Sequence, residues 1–268
     1  MGDLGADWRE AAAAEEDPAP AAAGGGPDHL VVMVHGIVGS TADWKFGAEQ
    51  FDKLLSGKVI VHCSNRNMHK LTLDGIDVMG ERLAQEVPFL FGVTAIENFA
   101  CCIIHLIFGR TGKHLFLTDN DDGKPPLLQR MVDNWGDLQF ISALQAFRRR
   151  VAYSNVRHDH IVGWRTSSIR QDSELPKWVD STNKIYPHIV HEELSKAEAP
   201  DQCADTDNYT LEERLLRGLK RVSWEKVDVS FHNSKVRSAA HSVIQVKDPV
   251  MHCEGADVIQ HMIDHFTL

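Results

Sequence analysis

The stretch HLVVMVHGIVGSTADW, residues 29–44, carries the clearest fold signal in the sequence. It begins with the continuous apolar run HLVVMVH, which is typical of a parallel strand buried on both faces. The run ends in His-Gly, and Ser40 or Thr41 can cap a helix that extends to about Leu55. A strand that leads through a short loop into a helix predicts a mixed α/β protein.

The same alternation continues downstream. Residues 58–63 (KVIVHC) are short and β-branched, which predicts a second strand, and residues 74–87 have apolar side chains at helical spacing with an acid in the first turn. Strand, helix, strand and helix in succession predict a parallel sheet. Further predicted elements are helices at 127–133, 137–150 and 255–266, strands at 151–156 and 225–231, and a charged, irregular insertion at 174–213.

Composition narrows the function classes. The chain has 268 residues, 43% hydrophobic and 25% charged, as in ordinary globular proteins. A net charge of -10 without a basic stripe argues against nucleic-acid binding. Five cysteines without a C-x-x-C pair disfavour a disulfide framework and favour a reducing compartment, so we predict a cytoplasmic location.

Two segments differ from the rest of the chain. Residues 1–28 are rich in Ala, Gly, Pro and acid, which predicts a disordered N-terminal segment before one domain at 29–268. Residues 88–108 are apolar and long enough to span a bilayer, but Glu97, Asn98 and His105 interrupt the run. A buried or interfacial helix pair is therefore the favoured interpretation.

Histidine pairs raise the question of a metal. His261 and His265 lie four residues apart on the last predicted helix, but they border an apolar stripe and the sequence indicates no third ligand. His158 and His160 flank Asp159 within a single loop, which by itself is weak evidence for a metal site. We predict no metal site and no cofactor.

The opening stretch, extended to residue 51, and five further stretches together resemble a plant member of the serine esterase (lipase) family. Those five are LTLDGIDVMGERLAQEV, LFLTDNDDGKPPLLQRMV, VAYSNVRHDHIVGWRTSSIR, RVSWEKVDVSFH and AAHSVIQVKD. The resemblance covers nearly everything after residue 28. It implies an α/β-hydrolase fold, a mostly parallel sheet flanked by helices, and hydrolysis of a carboxylic ester of a lipid or other acyl substrate, with peripheral contact to a membrane surface.

The resemblance also implies roles for individual residues. Asp159 follows a late strand, where the family places the acid of its catalytic triad, and His241 precedes the last helix, where the family places the general base. His252 is a nearby alternative base. Gly36 and Ile37 would donate backbone N–H groups to an oxyanion, as the turn after the His-Gly strand does in this fold.

The nucleophile expected by this resemblance is absent. No serine has glycine two places before it, and His241-Ser242 is followed by an apolar Val-Ile that resembles a strand rather than a sharp turn. The resemblance implies that a segment carrying a strand, the nucleophile elbow, a helix and another strand is lost between Val87 and Pro88, through an alternative transcript or a gene-model error. We therefore predict an incomplete α/β-hydrolase fold that lacks the central nucleophile strand and its neighbour.

Three functions follow from these observations. The first is the family's ester hydrolysis, which this chain should not perform without its serine. The second is a non-catalytic variant that binds an apolar ligand or a protein. The third, with the weakest support, is a metal-dependent hydrolase that uses the His and Asp groups.

Loss of two central strands also has a structural consequence. The strands at 29–35 and 58–63 should form one half of the sheet, and those at 151–156 and 225–231 the other. We expect either that 29–35 pairs with 151–156, which would bring Asp159 and His241 near Gly36, or that the open edges aggregate.

Overall fold

The computed structural model of the protein describes residues 27–90, 109–120, 123–177, 183–199 and 209–268. The strands are β1 (His29–Met33), β2 (Val59–Cys63), β3 (Val151–Asn155), β4 (Ile189–Ser195) and β5 (Trp224–Val229). The helices are α1 (Lys45–Leu54), α2 (Ile76–Leu90), α3 (Gly109–Leu115), α4 (Leu127–Met131), α5 (Phe140–Ala146), α6 (Trp164–Ser167), α7 (Leu211–Leu219), α8 (Ala240–Val243) and α9 (Ala256–Asp264).

The strands form two separate sheets. In the first, β1 and β2 are parallel, in register from His29 opposite Val59 to Met33 opposite Cys63. In the second, β5 lies between a parallel β3 and an antiparallel β4. The mixed α/β class and the predicted grouping of strands into two halves are confirmed. The predicted pairing of β1 with β3 is not observed, so within the described residues each of these strands has one unpaired edge.

The predicted strand–loop–helix at the opening stretch is confirmed with small shifts of its bounds. The Ser40 side chain accepts a hydrogen bond from the Ala42 N–H, and a 3-10 turn at Thr41–Trp44 leads into α1. The Trp44 indole N–H donates to the Val34 carbonyl at 3.0 Å, which fixes the helix start against the end of β1. The turn between them thus has a defined shape.

The prediction of an irregular insertion at 174–213 is wrong in two places. It contains β4, of which Ile189 is buried while the next residues are mostly exposed, so the strand lacks the apolar run that identified β1. It also contains the start of α7, where Thr210 and Glu213 form a capping box. That pairing of a threonine with an acid three residues later was a readable helix-start signal.

Two further local predictions are corrected. The apolar Val-Ile after His241-Ser242 does not form a strand, because residues 240–243 form the short helix α8. The helix predicted to end at Val87 continues through Pro88 to Leu90, although proline has no N–H to donate to the preceding turn. The backbone up to residue 90 therefore shows no break at the Val87–Pro88 junction.

Several expectations fall outside the described residues. The segment predicted to be disordered lies almost wholly within residues 1–26, and most of the apolar run at 88–108 lies within residues 91–108. Among the described residues, no helix is long and apolar enough to cross a membrane.

Helix α9 joins the two sheets through a shared core. Its Val258 packs in the cluster that contains Val229 of the second sheet. Its Ile259 packs in the cluster that contains Met33 of the first sheet and Phe51 of α1. Because α9 contributes to both clusters, it holds the two halves together in the absence of a continuous sheet.

Candidate active site

The structure brings the predicted acid and base together. Asp159 lies in the loop after β3, and His241 lies on α8, 82 residues further along the chain. The distance from the His241 Nδ1 to the Asp159 Oδ2 is 3.1 Å. The loop reaches Asp159 through His158, whose backbone adopts the left-handed conformation (φ 63°) that is uncommon for a residue other than glycine.

Asp159 is held by three donors besides His241. Its Oδ1 accepts the backbone N–H groups of Ile161 and Val162, both at 2.9 Å, and its Oδ2 accepts the Asn155 amide at 2.9 Å. Burial raises the pKa of Asp159, but these hydrogen bonds and that of His241 lower it by more, so the pKa is below its ordinary value. Asp159 is therefore a fixed carboxylate anion at neutral pH.

His241 has the orientation that a general base requires. Its Nδ1 faces Asp159, so the carboxylate favours the tautomer with the proton on Nδ1 and leaves the lone pair on Nε2. Within the described part of the chain, Nε2 has no hydrogen-bond partner, and the side chain is 40% exposed. Nε2 is thus open to take a proton from a group that approaches from solvent.

The alternative base, His252, makes hydrogen bonds to a neighbouring turn instead of to a carboxylate. Its Nδ1 accepts the backbone N–H of Asp248 at 3.1 Å, and its backbone N–H donates to the Asp248 carbonyl. The side chain is buried, and no carboxylate hydrogen-bonds to its ring in the described residues. These contacts assign His252 to the turn between α8 and α9.

The turn after β1 presents two uncommitted donors. The Gly39 N–H donates to the Gly36 carbonyl at 3.0 Å, and the Val38 N–H donates to the Thr72 hydroxyl at 2.8 Å. The N–H groups of Gly36 and Ile37 donate to no described residue. They are therefore available to an oxyanion.

The described contacts do not place this turn directly against the acid and base. No hydrogen bond connects Gly36 or Ile37 to Asp159 or His241 in the described residues. The connection is indirect, since the Lys247 ammonium after α8 lies 3.0 Å from the Asp43 carboxylate at the start of the α1 region. The segment after His241 is thereby tied to the β1–α1 unit.

Four buried polar side-chain atoms have no hydrogen-bond partner within the described residues, and three of them lie at the carboxyl ends of β1 and β3. These three are His35 Nε2 just beyond β1, together with Ser154 Oγ and Asn155 Oδ1 at the end of β3, while the fourth is Asp119 Oδ1 in the segment after α3. A buried polar atom that lacks a hydrogen bond costs about 1–3 kcal/mol. These costs fall beside β1 and β3, two of the four edge strands among the described residues, and no sequence signal predicted them.

No nucleophilic serine accompanies the pair in the described residues. No serine hydroxyl hydrogen-bonds to His241, and Ser242 lies on α8 rather than on a strand–turn–helix. The arrangement can orient a histidine and accept a proton at Nε2, but it lacks the oxygen that would be acylated.

Potential metal ligands occur in one place among the described residues. His158, Asp159 and His160 gain no further ligand, whereas His261 and His265 are joined by Glu192 of β4. Glu192 is 69 residues away from His261 and falls within the segment predicted to be irregular, so no spacing in the sequence could have revealed it.

Comparison with known families gives one match. The model of the family described as "Putative serine esterase (DUF676)" matches residues 25–88 and 86–169, which is just over half of the chain. The two matched segments meet at residues 86–88. No curated protein and no solved structure matches the chain.

Proposed function

The chain belongs to this serine esterase family, and we propose that it is a member that retains the acid and the base of the catalytic triad but has lost the segment with the nucleophile. In this proposal Asp159 is the triad acid, His241 is the base, and the chain has no serine-dependent activity of its own. The family's reaction would be hydrolysis of a carboxylic ester of a lipid or other acyl substrate.

The observation that carries the proposal is the Asp159–His241 contact. In a serine esterase, the serine hydroxyl attacks the ester carbonyl while the histidine Nε2 takes its proton, and the acid holds the histidine and stabilises its positive charge. The 3.1 Å contact at Nδ1 and the open Nε2 supply both requirements. The uncommitted N–H groups of Gly36 and Ile37 fit the role of oxyanion donors.

Three observations support the loss of an internal segment. The two family matches meet at residues 86–88, where relatives are expected to continue into the nucleophile strand. Among the described residues, β1 and β3, which would flank that strand and its neighbour, are edge strands of separate sheets, as β2 and β4 are. Three of the four buried polar atoms without partners in the described residues lie at the ends of the same two strands. An incomplete α/β-hydrolase sheet accounts for all three.

A second function is non-catalytic binding of an apolar ligand or a protein. Val34, Ile37 and Val38 are 43%, 44% and 57% exposed around the turn that would contact the acyl group. Exposed apolar side chains of this kind occur at ligand and protein contacts. The cysteine pattern supports a cytoplasmic location for either function.

The test compares the chain with a form in which a relative's segment is inserted between Val87 and Pro88. We expect the purified chain not to hydrolyse p-nitrophenyl esters above background, because loss of a triad nucleophile costs about a millionfold in kcat. The restored form should hydrolyse them, and His241→Ala in that form should abolish turnover while His252→Ala retains it.

The controls separate the possible outcomes. Turnover by the unmodified chain that disappears with His241→Ala would contradict the loss of the nucleophile. A restored enzyme that depends on His252 but not on His241 would contradict the assignment of the base.

A further inference from the structure

A second cluster of ionisable side chains lies between β4 and the end of α9. It consists of Glu192, His261 and His265, and it shares no residue with the Asp159–His241 pair. One potential ligand atom from each of these three side chains lies within 4.8 Å of the others. The three side chains line a cleft of about 270 Å³.

The helix places the two histidines side by side. Residues four apart on a helix lie on one face, and the rings of His261 and His265 stack with centroids 4.0 Å apart. The His265 Nδ1 lies 2.9 Å from the His261 carbonyl oxygen and can only donate to it. The proton of a neutral His265 is therefore on Nδ1, which leaves the Nε2 lone pair available.

His261 is oriented by a partner on the opposite side of its ring. Its Nδ1 lies 2.8 Å from the Tyr153 hydroxyl, and its Nε2 lies 3.3 Å from the Glu192 Oε2. Burial raises the pKa of Tyr153, so this group stays a hydroxyl that can accept the Nδ1 proton.

From this geometry we propose that Glu192, His261 and His265 bind a divalent transition-metal ion, with Zn²⁺ as the best-suited ion. Two imidazoles and one carboxylate form a ligand set that Zn²⁺ accepts, with bonds of about 2.0–2.2 Å and a fourth position open to water or another ligand. Tyr153 serves as the outer partner that orients His261, the arrangement that metal-ligating histidines usually have.

Side-chain rotations are needed to close the site, because the His261 and His265 rings are stacked with 25° between their planes, and in-plane lone pairs of stacked rings do not meet at one point. His261 is held in place by Tyr153 and its burial. The two exposed ligands, Glu192 and His265, are therefore the ones that must turn toward the ion.

The charges around the cluster suit a cation. Arg149, which also lines the cleft, is paired through two nitrogens with the Glu225 carboxylate, so its charge is largely offset. The Lys226 ammonium donates to the Ile169 carbonyl. Asp264, on the same helix as His261, adds a further negative charge near both histidines. A divalent ion therefore enters a site with excess negative charge.

The test measures Zn²⁺ binding by equilibrium dialysis and elemental analysis, with Co²⁺ absorption in the visible range as a report of ligand geometry. We expect one ion per chain for the wild type. Glu192→Gln and His265→Asn should each weaken binding at least tenfold. Tyr153→Phe, which keeps all three ligands, should weaken it about 10–100-fold.

His191→Gln is the matched control, because His191 is an exposed neighbour of Glu192 on the same strand. It should bind Zn²⁺ like the wild type. Glu192 and His265 are both exposed, so their variants should keep the circular dichroism spectrum of the wild type. Absence of binding by the wild type, or equal affinity in the wild type and both ligand variants, would overturn the proposal. None of these results depends on esterase activity.

Discussion

Asp159 connects the loop after β3 to the histidine on α8. It accepts two backbone N–H groups, the Asn155 amide and the His241 ring, so one carboxylate fixes both the loop and the proposed base. Its replacement should therefore affect stability as well as the orientation of His241.

The pKa of Asp159 makes this stabilisation depend on pH. Because the folded pKa lies below the ordinary value, the stabilisation is present above about pH 3.9 and is lost as the pH falls through the folded pKa. Urea unfolding should show wild type more stable than Asp159→Asn at neutral pH, with the difference shrinking below about pH 4.

Asp52→Asn, which changes an exposed carboxyl group on α1, is the control for general charge effects. It should leave the free energy of unfolding nearly unchanged at neutral pH. If Asp159→Asn has no greater effect than Asp52→Asn, the carboxylate does not have the anchoring role assigned to it.

Among the elements, the contact between α8 and the start of α9 determines where His241 lies. A Cβ at Gly255 would lie 1.9 Å from the Val243 carbonyl oxygen at the end of α8. A carbon and an oxygen atom that are not bonded cannot approach so closely, so the backbone at Val243 or at Gly255 would have to shift. Gly255→Ala should therefore lower the free energy of unfolding by about 1–3 kcal/mol and displace α8.

Gly80→Ala is the matched control for Gly255→Ala, because an added methyl group has free space at residue 80. Gly80 lies within α2, and a Cβ there would meet nothing within 4 Å. Alanine in a helix interior is more favourable than glycine by about 1 kcal/mol, so this variant should be slightly stabilised. Thermal unfolding of both variants checks the pair, and equal destabilisation by the two substitutions would contradict the close approach at Gly255.

The elements that the sequence predicted best are those with a regular apolar pattern. The helical spacing of α9 reflects burial, since Val258, Ile259 and Ile263 are buried. The run at β1 does form a strand, but the expected burial on both faces is wrong, because only Met33 of that strand is buried and the other four residues are half-buried. β4 could not be predicted from the sequence, because it lies at the edge of its sheet and its residues are mostly polar or charged and exposed. The Glu192–His261 contact could not be predicted for a related reason, since it depends on how that edge strand packs against a helix far away in the sequence.

The part of the molecule that the structure describes has two sheets joined by α9, and β1, β2, β3 and β4 are edge strands in it. Unpaired strand edges can pair with other chains, and the buried polar atoms beside them reduce a total stability of roughly 5–15 kcal/mol. We expect concentration-dependent association in sedimentation velocity experiments and weak hydrogen-exchange protection in β1. A monomer at all concentrations, with a sharp cooperative thermal transition and strong protection in all strands, would contradict this expectation.

The family could be predicted from the motifs spread along the chain, and the family model matches residues 25–88 and 86–169. The contact between Asp159 and His241 could be expected from the resemblance, which places one residue after a late strand and the other before the last helix. Their exact environment could not, since the donors to Asp159 and the occupied ring of His252 depend on the folded loops.

The central claim is that this chain keeps an oriented acid and base without a nucleophilic serine. Its most direct test is incubation of the folded chain with a fluorophosphonate probe, followed by intact-mass and peptide mass spectrometry. We expect no serine adduct on the chain and stoichiometric labelling of the form with the restored segment. Stoichiometric labelling of any serine in the unmodified chain, abolished by His241→Ala, would contradict it.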